Sequence, residues 1–152
     1  MRIFVAGGTG VVGRPLVGAL VNRGHQVTAS TVRTESFPVV EALGATPTYV
    51  QDPVWERPAL MDGLDDAAVR RAILEAVPEV IINQMTSLSA PSRDYGAWLV
   101  LTNRLRREGT TILMSAAREA GSRRVVAQSA SFMTQPVGSG PTDESSPLYL
   151  EG

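Results

Sequence analysis

Hydrophobic positions at the start of the chain change spacing within twenty residues. Residues 3–6 form an uninterrupted apolar run, and glycines then follow at positions 7, 8, 10 and 13. Beyond them, Val12, Leu16 and Leu20 recur every four residues until Gly24. An apolar run that gives way to helical spacing predicts a buried strand, a tight turn and a helix ended by glycine.

Further strands and helices alternate along the remainder of the chain. Strands are predicted at residues 26–31, 46–50, 80–83 and 124–128, with a short helix around 39–43 and a loop at 51–61. A third helix would begin at Asp65 or Asp66 and bury Val69, Ile73 and Val77 before Pro78 ends it. The alternation predicts an α/β fold, a doubly wound parallel sheet of strand order 3-2-1-4-5.

The longest predicted helix covers about residues 94–120. One face of it would carry apolar or small residues, and Gly121 would end it: Leu101, Leu105, Gly109, Ile112 and Ala116. From Ser129 onward the chain is rich in Ser, Pro, Gly and Thr and shows no periodicity. We therefore expect a packed domain over residues 1–131 and an irregular segment over 132–152.

Composition excludes several classes of function. Fifteen acidic residues balance fourteen basic ones, so the concentrated positive charge of a nucleic-acid binder is missing. With no cysteine and the single His25, a zinc site built by the protein is not expected. No apolar run reaches the ~18 residues of a membrane helix and no signal peptide is evident, so we expect a cytoplasmic protein.

Glycine spacing in the first turn predicts a site for linked phosphates. Gly7 permits the bend after the strand, Gly10 leaves room for phosphates to approach the main chain, and Gly13 lets the helix lie close to the strand. Main-chain NH groups here, including those of Thr9, Val11 and Val12, would face the anion at the positive end of the helix. The alternative is a turn whose glycines serve packing alone, and a P-loop is excluded because no lysine follows.

Two segments resemble a known family. Residues 4–16, and residues 108–110 with 116–126, are similar to the extended and atypical short-chain dehydrogenase/reductases, commonly labelled NAD-dependent epimerases/dehydratases. The resemblance spans residues 1 to about 131. It implies an NAD(P)-binding Rossmann domain that stops before the last strands and the substrate-binding subdomain of the family.

The resemblance also suggests which dinucleotide binds. Members that prefer NAD carry an acid at the end of the second strand, where this chain has Thr31. Members that prefer NADP carry a basic residue just beyond, and Arg33 lies one position past the usual one. NADP is therefore expected, with NAD as the alternative, and Arg33 could instead be a solvated loop residue.

Two more segments match cofactor contacts of the family. Asp62 and Gly63 correspond to the adenine-binding acid and its neighbour, although Asp62 could equally cap a helix or lie in a loop. Gln84, Met85 and Thr86 correspond to the segment whose backbone lies along the ribose on the nicotinamide side.

The catalytic residues of the family are only partly matched. Its chemistry uses a tyrosine, a lysine four residues later, and a serine or threonine after the fifth strand. This chain has no lysine, a partner for Tyr149 would fall at position 153, and Ala130 occupies the usual serine position. Ser129 and Ser131 flank it and are the candidate catalytic hydroxyls, the alternative being ordinary loop serines.

These features support two functions. The first is the NADP-binding part of a longer oxidoreductase or epimerase/dehydratase that acts by hydride transfer on a small molecule. The second is a non-catalytic NADP-binding sensor or regulatory module that lacks the tyrosine–lysine pair. An exposed fifth strand at the sheet edge could also support a homodimer.

Overall fold

The computed structural model describes residues 1–50, 66–86, 100, 102–129, 134–136 and 138–149. Its centre is a parallel sheet of five strands, in the order β3-β2-β1-β4-β5 that the sequence predicts. The strands are β1 Arg2–Ala6, β2 Gln26–Thr31, β3 Thr46–Tyr49, β4 Val80–Asn83 and β5 Arg124–Ala127.

Helices follow the strands in the order expected of a doubly wound fold. They are α1 Gly13–Asn22, a 3₁₀ turn Thr34–Ser36 that leads into α2 Phe37–Ala42, α3 Asp66–Ala76, and a π-helical turn Leu105–Gly109 that leads into α4 Thr110–Glu119. The predicted loop at 51–61, the Asp65 cap and Leu101 lie outside the described residues. None of the described helices is long and apolar enough to cross a membrane.

Side chains of β1 alternate between two separate cores, because successive residues of a strand face opposite sides of a sheet. Phe4 and Ala6 pack with buried residues of α3 and α4, among them Ile73 and Leu113. Ile3 and Val5 pack on the other side, where α1 contributes Val17 and α2 contributes Val40. The two helical layers thus cover both faces of the central strand.

Two apolar positions predicted for helix faces are wrong. Val12 precedes α1 at its N-cap and is 54% exposed, and the residues that α1 buries are Gly13 and Val17. Val77 lies past the end of α3, with a φ of 42° and 50% exposure. The residue before a proline is disfavoured in the helical region, so Pro78 forces Val77 out of the helix.

The long predicted helix contains a π-helical turn that periodicity did not anticipate. Gly109 and Ala116 are buried as predicted, but Ile112 is only partly buried against the core. Leu113 and Ala117 occupy the buried face instead. A π turn includes an extra residue compared with an α turn, so the faces before and after it do not follow one 3.6-residue spacing.

Charged side chains join elements away from the glycine turn. At the start of the strands, Glu79 accepts hydrogen bonds from the Arg2 main-chain NH at 2.9 Å and from the Arg123 guanidinium at 2.7 Å. Chiefly because of the bond from Arg2, the pKa of Glu79 lies below its ordinary value. Arg70 of α3 forms a two-pronged pair with Glu119 of α4, at 2.6 Å for each bond, which lowers the pKa of Glu119.

Two glycines of α1 should respond in opposite ways to alanine. A Cβ at Gly13 would overlap the Gly7 carbonyl oxygen and lie 2.9 Å from the Gly8 backbone, whereas a Cβ at Gly18 would meet only the Leu43 side chain, at 3.6 Å. We expect Gly13→Ala to destabilise the fold by roughly 1–3 kcal/mol through overpacking. Gly18→Ala should stabilise it by roughly 0.5–1 kcal/mol through helix propensity.

Urea denaturation of both variants beside wild type measures this difference. Equal changes of the two unfolding free energies would contradict the close packing at Gly13.

Candidate dinucleotide-binding site

Two glycines of the turn between β1 and α1, and Gly13 at the start of α1, are required by the fold itself. Gly7 has a φ of 80°, and a Cβ on it would lie 2.9 Å from the carbonyl oxygen of Gln84. A Cβ on Gly8 would lie 2.6 Å from the Cβ of Ala29. A Cβ on Gly13 would overlap the carbonyl oxygen of Gly7. The turn therefore lies in direct backbone contact with the chain leaving β4.

Gly10 differs from these three. A Cβ on Gly10 would meet only the Gly7 carbonyl oxygen, at 3.4 Å, an ordinary contact distance, and its φ lies outside the left-handed region. Within the described residues, no packing contact requires glycine at this position. A side chain here would instead occupy the space beside the turn, where a ligand would approach the main chain.

Main-chain NH groups of the turn fall into two sets. The Gly7 NH donates to the Ser30 hydroxyl, the Gly8 NH to the Ser30 carbonyl and the Gly10 NH to the Gly7 carbonyl, each at 3.1 Å. Four other NH groups donate to no partner in the part of the chain that the structure describes: those of Thr9, Val11, Val12 and Gly13. Unpaired NH groups at the positive end of a helix form a favourable site for an anion.

Arg14 and Ser30 hold this turn in place. The Nε of Arg14 donates to the Thr9 carbonyl at 2.9 Å, so its side chain folds back on the turn. Ser30 is buried in β2 and contacts both Gly7 and Gly8. Sequence reasoning missed Ser30, although a polar residue near the end of a buried strand was a usable signal.

Thr31 and Arg33 lie where β2 ends. The buried Oγ1 of Thr31 accepts a hydrogen bond from the Arg33 NH at 3.1 Å and donates one to the Arg33 carbonyl at 3.2 Å. The side chain of Arg33 is exposed and pairs with no described residue. Thr31 therefore fixes the backbone from which the exposed Arg33 guanidinium extends.

The segment after β4 passes beside the glycine turn. The Gln84 NH donates to the Ala6 carbonyl at 2.9 Å, and the Met85 NH donates to the side-chain oxygen of Asn83 at 3.0 Å. The Oε1 of Gln84 is buried and has no hydrogen-bond partner among the described residues. The structure thus places the backbone of Gln84 and Met85 beside Gly7, and Thr86 follows them in the chain.

The other predicted site residues are either exposed or outside the part of the chain that the structure describes. Asp62, Gly63 and Ser131 lie outside the described residues. Ser129 is exposed two residues past β5, and the exposed Tyr149 follows Leu148, which bridges to Thr134 in a small antiparallel pair.

The segment near Tyr149 is ordered locally by Asp143. The Ser145 hydroxyl donates to the Asp143 carboxylate at 2.6 Å, which holds the pKa of that carboxyl below its ordinary value. No described residue of this segment contacts the glycine turn through a hydrogen bond or ion pair.

Curated relatives of this chain are reductases by name. The chain is 44% identical over 151 residues to a "3-diazoavenalumate denitrifying reductase" of a Streptomyces species, covering 99% of this chain and 45% of the relative. It is 33% identical over 126 residues to a "4-hydroxy-2-methyl-3-oxo-4-farnesyl-3,4-dihydroquinoline-1-oxide ketoreductase" of Stigmatella aurantiaca, covering 83% of this chain and 32% of the relative. The chain therefore spans less than half the length of these relatives.

Solved structures show the same fold at lower identity. A UDP-glucose 4-epimerase of Thermus thermophilus in complex with NAD superposes with a TM-score of 0.72 at 24% identity, over 98% of this chain and 44% of that one. A yeast methylglyoxal/isovaleraldehyde reductase complexed with NADPH gives 0.68 at 16% identity, over 89% and 39%.

A family model confirms the resemblance that the glycine turn and the later segment indicate. The model describes the NAD dependent epimerase/dehydratase family, and it matches residues 3–151. This chain belongs to the NAD dependent epimerase/dehydratase family.

Proposed function

We propose that this chain binds a nicotinamide dinucleotide, NADP in preference to NAD, as the cofactor domain of an oxidoreductase. The observation that carries the proposal is the turn after β1. Among the described residues, it combines four main-chain NH groups that have no partner with a glycine, Gly10, that no packing contact requires. Both features suit two linked phosphates and have no purpose in a turn that serves packing alone.

Main-chain groups of the turn would hold the pyrophosphate. The NH groups of Thr9, Val11, Val12 and Gly13 would donate to phosphate oxygens, and the helix dipole of α1 would favour the negative charge. The segment Gln84–Met85–Thr86 would lie along the ribose on the nicotinamide side. The buried Oε1 of Gln84 supports this: it has no partner in the described part of the chain, and such an acceptor gains one when a ligand brings a donor.

Arg33 would bind the 2′-phosphate that distinguishes NADP from NAD. Its guanidinium is exposed, while its backbone is fixed by Thr31. No carboxylate occupies the end of β2, where an acid would repel that phosphate. Asp62 and Gly63 remain predicted adenine contacts.

Reduction of a small molecule is the reaction that the relatives favour. When bound, the dinucleotide supplies the hydride, and the protein supplies binding and orientation. Both curated relatives are named reductases, so we favour a reductase over an epimerase or dehydratase. Ser129 and Ser131 remain candidate hydroxyls toward the substrate.

A non-catalytic NADP-binding module is the second candidate. The absence of lysine from these 152 residues favours it, because no tyrosine–lysine pair can form within them. Substrate-dependent oxidation of NADPH by the protein that carries this chain separates the two. Oxidation supports the reductase, and tight NADPH binding without turnover of any carbonyl or diazo compound supports the module.

Gly10→Val tests the phosphate site. The larger side chain would fill the space beside the unpaired NH groups, so we expect NADPH and NADH affinity to fall together. Hydrogen bonds to charged groups contribute roughly 1.5–3 kcal/mol each, so losing two or more weakens binding about a hundred-fold or further. Isothermal titration calorimetry measures both affinities.

The melting temperature of Gly10→Val should stay near that of wild type, since a Cβ at this position meets no close contact. Gly18→Ala, on the same helix, is the matched control and should bind as wild type does. If Gly10→Val bound both dinucleotides as tightly as wild type, the turn would not be the phosphate-binding site.

Arg33→Ala tests the preference for NADP. A guanidinium paired with the 2′-phosphate should make NADPH bind about ten- to a hundred-fold more tightly than NADH, the range expected of charged hydrogen bonds. The variant should bring the two affinities close together by weakening NADPH alone. Parallel titrations with both dinucleotides measure the ratio.

Arg23→Ala is the control for this experiment. Arg23 is also exposed, but it lies at the other end of α1, where it contacts the Ala19 carbonyl. Its substitution should leave the ratio of NADPH affinity to NADH affinity unchanged. If wild type shows equal affinity for NADPH and NADH, Arg33 has no role in selection.

A further inference from the structure

Asn83, the last residue of β4, forms hydrogen bonds through both the nitrogen and the oxygen of its side-chain amide. It is only 5% exposed. Its Nδ2 donates to the Thr110 hydroxyl at 3.1 Å, and its Oδ1 accepts the Met85 NH at 3.0 Å. One buried side chain thus joins the first residue of α4 to the segment that leaves β4.

The π-helical turn determines where Thr110 lies. Leu105–Gly109 forms that turn, and Thr110 follows it as the first residue of α4. An extra residue in a helical turn rotates the next side chains by about 100° around the axis, so the turn decides which face Thr110 occupies. Such turns occur often at functional sites.

The segment held by Asn83 is also in contact with the glycine turn. Gln84 donates to the Ala6 carbonyl through its NH, and its carbonyl oxygen would lie only 2.9 Å from a Cβ on Gly7. Rotation of the Asn83 amide would release the Met85 NH and change the path of Gln84–Met85–Thr86. Thr110 opposes that rotation, because its hydroxyl accepts the amide NH₂.

We propose that Asn83 and Thr110 are positioning residues for the nicotinamide half of the dinucleotide. They act through Gln84–Met85–Thr86 and do not touch the cofactor themselves. The inference rests on the proposed function, since it assigns that segment to the nicotinamide-side ribose. A purely structural hydrogen bond would affect stability without distinguishing one half of the dinucleotide from the other.

Thr110→Val is the decisive variant, because it keeps the branched shape and removes the hydroxyl. Adenosine 2′,5′-bisphosphate is the second probe, since it contains the adenosine half of NADPH and lacks nicotinamide. We expect Thr110→Val to bind NADPH about tenfold more weakly, which is the effect of losing one or two hydrogen bonds. It should bind the bisphosphate as tightly as wild type does. Calorimetric titration of both probes measures this split.

Two substitutions control for loss of a hydroxyl. Thr110→Ser keeps the acceptor and should restore NADPH affinity. Thr111→Val removes the neighbouring hydroxyl, which donates to the Arg107 carbonyl at 2.9 Å away from β4, and should bind both probes as wild type does. Thr110→Ala removes the same acceptor without a γ-branch and should repeat the Thr110→Val result if valine perturbs folding.

Three outcomes would overturn the inference. In one, both Thr110→Val and Thr110→Ala bind NADPH as tightly as wild type. In another, they lose affinity for both probes equally, in step with a lower melting temperature. Failure of wild type to bind either probe is different, because that result overturns the proposed function and this inference with it.

Discussion

Close backbone contact between the turn after β1, the start of α1 and the chain leaving β4 is the constraint on which this structure depends. Gly7 and Gly13 leave no room for a Cβ against neighbouring backbone atoms, so these three elements meet through their main chains. Main-chain groups that approach so closely cannot be covered by side chains. The same packing that stabilises the central strand therefore leaves NH groups open at the carboxyl edge of the sheet, where ligands bind in open α/β folds.

The two edges of the sheet have different polar chemistry. At the amino edge, Glu79 connects Arg2 and Arg123, so its charge is compensated by protein groups. At the carboxyl edge, the NH groups of the glycine turn and the Oε1 of Gln84 have no partner among the described residues. Satisfied polar groups support the fold, whereas unsatisfied ones leave hydrogen-bonding capacity for a ligand. The proposed location of the dinucleotide site rests on this difference.

Local sequence patterns predicted the sheet and the glycine turn because both depend on short-range rules. Strand order followed from alternating elements, and Gly7 and Gly13 followed from their places beside a strand and a helix. The predicted helix faces were wrong at Val12 and Val77, because a helix boundary or a following proline ended the periodicity there. Ser30 and Asn83 were missed for another reason: their partners lie 23 and 27 residues away in sequence, so their roles appear only when the strands are adjacent.

Asn83 connects the predicted cofactor segment with the candidate catalytic hydroxyl. Its side chain holds Met85 and Thr110, and its carbonyl oxygen accepts the Gln128 NH at 3.2 Å. Gln128 directly precedes Ser129, so the exits of β4 and β5 share one anchor. A reductase must place a substrate hydroxyl or carbonyl contact at a fixed distance from the nicotinamide. In the proposed reductase, Asn83 would meet that requirement within this domain, because its side chain holds the exit of β4 and its main-chain carbonyl holds the exit of β5.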